Sequence, residues 1–298
     1  MKNNNKRFRL KGKIGYYRES GDIPPKRVIF MSVEGAKTEY SYFYNLGECL
    51  KRVQEAPIIK VEVLARRDNN SDPEHVLDLL QEYLALLHEG LIPDEIKEDF
   101  LKAGITDDDV ERYIENPSSL DSDKKTLLEK KISDYELDFK YRSHLRDYGQ
   151  HDNDRYVVVV DRDYKSHTMK AFQNCMEFIQ NSDMPIELYL SNPSFDLWLL
   201  LHSKAGCEYL SKADKNVIKE NAKVSSRHTE LSNQVAEIFH HRKYISFEKF
   251  QASYWHNIFF AIEASKEYNH DIDYLLNDIG TNIAEFFSDD IKMMLPHS

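Results

Sequence analysis

Two acidic motifs each stand directly after an apolar run. Glu34-Gly35 follows Arg27-Val-Ile-Phe-Met-Ser-Val33, and Asp161-Arg162-Asp163 follows Tyr156-Val-Val-Val-Val160. Each run has the length and β-branched content of a buried strand, and a helix-like segment comes after it. In an open parallel sheet the carboxyl ends of the strands line one crevice. Glu34, Asp161 and Asp163 can therefore converge on one divalent cation although they lie far apart in the chain. Hard carboxylate oxygens suit Mg²⁺ or Mn²⁺. Without a cation, like charges would push one or more of these carboxyl groups up in pKa.

The roles differ by position. Glu34 faces the crevice as a metal ligand or a general acid/base, and Gly35 permits a tight turn and close backbone approach. Glu39 is the better candidate for a capping acid at a helix N-terminus. Asp161 and Asp163 can share a cation, one directly and one through water. Asp196 stands one turn into the apolar run Phe195-Asp-Leu-Trp-Leu-Leu-Leu201 and needs a partner there. That partner is the cation, or else Arg162, Lys165 or a backbone N–H. Lys37, Arg162 and Lys165 are candidate contacts to a phosphate-bearing substrate. His202 reads as a structural histidine.

The elements that must position these residues follow from periodicity. Strands are expected at 27–33, 58–64, 156–160 and 186–190. Helices are expected at 39–54, after Asp72-Pro73, at 165–181 and after the Asn192-Pro193 step. Residues 91–150 read as an acidic helical insertion, and 208–290 as almost entirely helical with one long segment from Phe247 to Tyr268. The fold class is α/β: a mainly parallel four-stranded sheet flanked by helices. The expected organisation is a basic N-terminal arm (1–26), an α/β domain (27–205) carrying the insertion, and a helical C-terminal region (206–298).

Composition narrows the function. The 298 residues carry a net charge of -11, which argues against a protein that coats nucleic acid over its whole surface. The charge is uneven: residues 1–27 hold nine Lys/Arg against Glu19 and Asp22, while residues 94–123 hold eleven Asp/Glu against three Lys/Arg. The basic arm can meet phosphates. No stretch approaches the roughly 20 apolar residues of a membrane span. Cys49, Cys175 and Cys207 match no zinc or disulfide spacing, so a cytoplasmic setting is expected. There is no G-x-x-x-x-G-K-[ST], no G-x-G-x-x-G after a strand and no G-x-S-x-G, which removes support for P-loop, dinucleotide and serine-hydrolase chemistry.

Three segments taken together carry a resemblance. Val33-Glu-Gly-Ala-Lys-Thr-Glu39, the strand end at Asp161-Arg162-Asp163, and Ser191-Asn-Pro-Ser-Phe-Asp-Leu-Trp-Leu-Leu-Leu-His202 resemble the RloB-like family, as does Gly280-Thr281-Asn282. At position 196 that family more often has Glu; Asp keeps the charge and shortens the reach by one methylene. The resemblance implies a Toprim-like sheet. It implies a Mg²⁺- or Mn²⁺-dependent nuclease acting on RNA, tRNA included, or DNA in bacterial antiphage defence. It further implies an AAA-type ATPase partner and leaves room for a homo-oligomer. The alternative it carries is a non-catalytic or conditionally active subunit of such an ATPase complex.

Overall fold

A computed structural model describes residue 10 and residues 27–53, 59–64, 73–148, 153–163, 168–226, 228–241 and 243–296. The basic arm, apart from Leu10, and Lys165 lie outside the described residues. The first half of the chain alternates strand and helix: β1 (Arg27–Val33), α1 (Thr38–Val53), β2 (Ile59–Val63) and α2 (Pro73–Glu89). The insertion follows as α3 (Asp94–Lys102), α4 (Asp107–Glu115), α5 (Ser122–Tyr135) and α6 (Phe139–Tyr148). The sheet resumes with β3 (Arg155–Asp161), α7 (Met169–Asn181), β4 (Ile186–Asn192) and the short α8 (Asp196–Leu200). The remainder comprises α9 (Lys204–Lys212), α10 (Lys215–Glu220), α11 (Glu230–Phe239), α12 (Phe247–Ser253), α13 (Ile258–Ser265), α14 (Ile272–Leu275), β5 (Gly280–Thr281) and α15 (Asp289–Lys292).

The sheet runs β2-β1-β3-β4-β5, parallel except for β5. The expected four strands are therefore five. The fifth comprises only Gly280 and Thr281, too short to leave a periodic signal. It pairs with Ser191 and Asn192, so β4 extends past the expected Leu190. Asn282 continues this edge with its side chain: its Oδ1 accepts Leu190 N–H at 2.7 Å and its Nδ2 donates to Leu188 O at 3.2 Å. These bonds pin the end of β4 and the turn that follows it.

Both faces of the sheet are covered, which is why its strands read as continuous apolar runs. Ile29, Met31, Val157 and Val159 face α1 and the C-terminal helices, including Trp198, Phe250 and Tyr254. Val28, Phe30, Val158 and Val160 face α2, α7 and the insertion, including Tyr83, Phe100 and Tyr141. Burying side chains of this size contributes about 1.5–3 kcal/mol each. The acidic insertion is fixed by a buried ion pair, Arg142 Nη1 to Glu82 Oε1 at 3.0 Å, with Arg142 Nε donating to Leu91 O. The expected long helix from Phe247 to Tyr268 is broken at Tyr254 and Trp255, where a 3-10 turn separates α12 from α13 and both rings are buried. Among the described residues no helix is long and apolar enough to cross a membrane.

Candidate functional site

The chain runs from β1 through α1 to β2 on one side of β1, and later places β3 on the other side. The carboxyl ends of β1 and β3 therefore flank the point where the strand order reverses, the place where open α/β sheets leave a crevice. Glu34 follows β1 and Asp161 ends β3. Glu34 N–H donates to Val159 O at 3.0 Å, and its Oε2 accepts the Asp161 N–H at 2.8 Å. Asp161 Oδ1 in turn accepts the N–H of Phe195, in the turn after β4, at 2.8 Å. Three neighbouring loops are thus tied together through two carboxylates.

Two more carboxylates join them. Asp161 is pushed well above the usual carboxylate range, first by burial and then by the negative charges of Glu34, Glu39 and Asp196. The Phe195 N–H opposes that rise. Asp196, the first residue of α8, is pushed up to about 6 by burial, against the pull of Lys243 and a hydrogen bond from Ser194. Glu39 lies in the first turn of α1, as expected of a capping acid, but it is also buried and belongs to this cluster. A Cβ on Gly35 would stand 1.6 Å from Glu39 Oε2, so Gly35 is what lets that carboxylate occupy its place. The glycine was legible as a site of close approach; the group that approaches was not.

The remaining candidates fall elsewhere. β3 ends at Asp161, and Asp163 lies two residues beyond it, half-buried. Arg162 points to the opposite face. It is buried, its Nε donates to Leu276 O at 2.9 Å, and its guanidinium sits 5.3 Å from the centre of the Phe172 ring. Lys37 is exposed on the loop between Gly35 and α1. His202 is buried beneath the cluster. Its Nδ1 donates to Trp198 O at 3.0 Å, so its Nε2 accepts from the Tyr42 hydroxyl at 3.1 Å. Burial holds it down at about 3, a neutral ring that stays neutral.

Lys243 has no counterpart among the sequence candidates. It comes from a strap, residues 243–245, that crosses the N-terminal half of α1. Thr38 Oγ1 donates to Lys243 O at 2.8 Å, Ile245 N–H donates to Ser41 Oγ at 3.0 Å, and Asn45 Nδ2 donates to Ile245 O at 2.9 Å. Thr38, Ser41 and Asn45 stand at i, i+3 and i+7, one stripe of the helix. The only sequence signal was the polar run His240-His241-Arg242-Lys243, which has no helical or strand period.

The donor chemistry of Glu34, Glu39, Asp161 and Asp196 suits a hard divalent cation: Asp161 is raised first by burial and then by the charges of the other three, a repulsion that a cation would relieve. Among the described residues no group of three or more His, Cys, Asp and Glu side chains already stands in metal-holding geometry. Glu34 and Asp161 each accept a backbone N–H through one oxygen, which orients the two carboxylates.

A family model described as RloB-like protein matches residues 29–288. No curated protein matches the chain, and no solved structure does.

Proposed function

The chain belongs to the RloB-like family, and on that premise we propose that it is a Toprim-like, Mg²⁺- or Mn²⁺-dependent nuclease that cleaves phosphodiester bonds of RNA or DNA. The observation that carries the reading is that the Glu34 carboxylate takes the Asp161 N–H and the Asp161 carboxylate takes the Phe195 N–H beside Asp196, at the reversal of strand order, with Asp161 raised first by burial and then by the charges of Glu34, Glu39 and Asp196. Asp161, Glu34 and Asp196 would hold the cation, and Asp163 would reach it through water. A cation bound there supplies a Lewis acid for a phosphoryl oxygen and lowers the pKa of a bound water. The residues themselves do the rest. Glu34, oriented by the Asp161 N–H, would serve as ligand or proton acceptor. Lys37 and Lys243, exposed at the rim, meet the substrate's phosphates.

The same arrangement suits a conditionally active subunit working beside an AAA-type ATPase in defence against phage. The cluster draws on β1, β3, the turn after β4 and a strap from the C-terminal region, so a partner that shifts the strap alters the site.

The test is cleavage of a panel of total tRNA, single-stranded RNA, and single- and double-stranded DNA, with Mn²⁺ or Mg²⁺, wild type beside Glu34→Ala. Metal-dependent cutting that disappears in Glu34→Ala is expected. Equal cutting by both proteins would refute the assignment.

A further inference from the structure

Deepening the nuclease reading, and resting on it, we infer that the strap at residues 243–245 is the substrate-binding element of the site, with Lys243 contacting a phosphate and Tyr244 stacking on an unpaired base. The substrate is therefore a nucleic acid that offers a single-stranded or looped segment at the crevice.

The strap is held at four points. His240, with φ 53°, ends α11 in the left-handed conformation and turns the chain. The His241 ring bonds the Tyr254 hydroxyl. The Lys243 and Ile245 backbones bond Thr38, Ser41 and Asn45. Ser246 then caps α12 by accepting the Lys249 N–H. Between these anchors the side chain of Ile245 is buried, while Lys243 and Tyr244 are turned to solvent. A loop fixed so firmly could have hidden an apolar ring at little cost. Instead Tyr244 is 63 % exposed, against 41 % for Tyr274 and 37 % for Phe260.

Its surroundings give that exposure a meaning. The Lys243 carbonyl is held by Thr38, the first residue of α1 and four positions after Glu34, so the strap borders the carboxylate cluster. Lys37 precedes Thr38, whose hydroxyl holds the Lys243 carbonyl, so two exposed lysines from distant parts of the chain share this rim. An exposed aromatic ring beside lysines, at the mouth of a site that acts on phosphodiesters, matches the way single strands are held: cations on the backbone, a ring against a base. The other well-exposed tyrosine, Tyr274, is 41 % exposed and bonds Asp278 with Asp273 beside it, a setting that repels phosphate. Duplex bases are stacked on one another and offer no free face, which is why the ring selects unpaired segments.

The test is equilibrium binding, with Ca²⁺ replacing Mg²⁺ so that affinity is read apart from cleavage. The probes are fluorescein-labelled oligonucleotides of one sequence presented as a single strand, a hairpin with an open loop and a blunt duplex, each as RNA and as DNA. Wild type should prefer the single strand and the hairpin. Tyr244→Ala should lose about tenfold on those two and leave the duplex unchanged, while Tyr244→Phe keeps the ring and the affinity. Lys243→Ala should weaken all probes and reduce the salt dependence by about one phosphate contact. Both side chains are exposed, and unchanged melting curves would confirm that the variants fold. The inference is overturned if wild type binds none of the probes, or if Tyr244→Ala binds like wild type or loses single strand and duplex equally. Metal-dependent cleavage scored on the same proteins separates the two ideas. Cutting with no Tyr244 effect removes this inference alone, and the predicted binding with no cutting removes the nuclease reading alone.

Discussion

The Asp161 N–H donates to Glu34 Oε2 at 2.8 Å, so the acid that follows β1 is held by the backbone that ends β3. One side chain thereby does two jobs, joining neighbouring strands and placing a negative charge beside Asp161. Glu34→Gln separates them. The amide oxygen still accepts the Asp161 N–H, so stability should change by no more than about 1 kcal/mol. The lost charge should lower the affinity for Mn²⁺ by tenfold or more. Urea unfolding and Mn²⁺ titration of the same variant check both halves.

Asp196 makes metal-free stability depend on pH. Its folded pKa, about 6, lies above the model carboxylate value of 3.8, so between those values the folded chain binds more protons than the unfolded one. Its contribution therefore falls as pH rises through that window, and the cost is complete above it. Asp196→Asn removes the cost. Without metal, the variant should exceed wild type in stability by about 3 kcal/mol above pH ~6 and lose that advantage near pH ~4. Denaturant unfolding across that range reads the difference directly.

His202 works in the other direction. Folded it titrates at about 3, against an ordinary value of 6.5, so below pH ~6.5 the unfolded chain binds the extra proton. Its contribution is full above that pH and is lost as the pH falls. A His202→Asn variant should lack this slope of about 1.4 kcal/mol per pH unit, although it will start less stable because the Tyr42 hydroxyl and Trp198 carbonyl lose their partner. A wild-type curve no steeper than the variant's between pH ~6 and pH ~4 would contradict a neutral, buried ring.

Much of this site was legible before any coordinates. Glu34 and Asp161 end apolar runs with the length of buried strands, and a parallel sheet sends such ends to one edge. Arg162 was legible as a residue but not in its orientation. Strand alternation turns it to the face opposite Asp161, where Leu276 and Phe172 receive it. Glu39 looked like a helix cap because its sequence position is that of a cap; only the missing Cβ of Gly35 shows where its carboxylate goes. β5 and the strap had no chance of being read. A two-residue strand has no period, and the strap is fixed by Thr38, Ser41 and Asn45, some two hundred residues away in the chain.

Arg162 should matter for folding rather than for substrate. Its guanidinium is buried, bonds a backbone carbonyl and lies over a ring. Arg162→Ala should cost about 2–4 kcal/mol through the lost packing, the unpaired Leu276 carbonyl and the lost cation–π contact. Arg162→Lys should recover only part of this, since lysine lacks the planar fork. For the variants that remain folded, KM for a nucleic acid should stay at the wild-type value. A raised KM with unchanged stability would instead place Arg162 on the substrate.

The most direct measurement is calorimetric titration of Mn²⁺ into wild type and Asp161→Asn near neutral pH. Wild type should show a saturable site, because a cation would relieve the burial and the repulsion that weigh on the Asp161 carboxylate. Asp161→Asn should remain folded and lose that site. A wild type that takes up no cation, or an Asp161→Asn variant that binds Mn²⁺ with wild-type affinity, would contradict a cation site built on Glu34, Asp161 and Asp196.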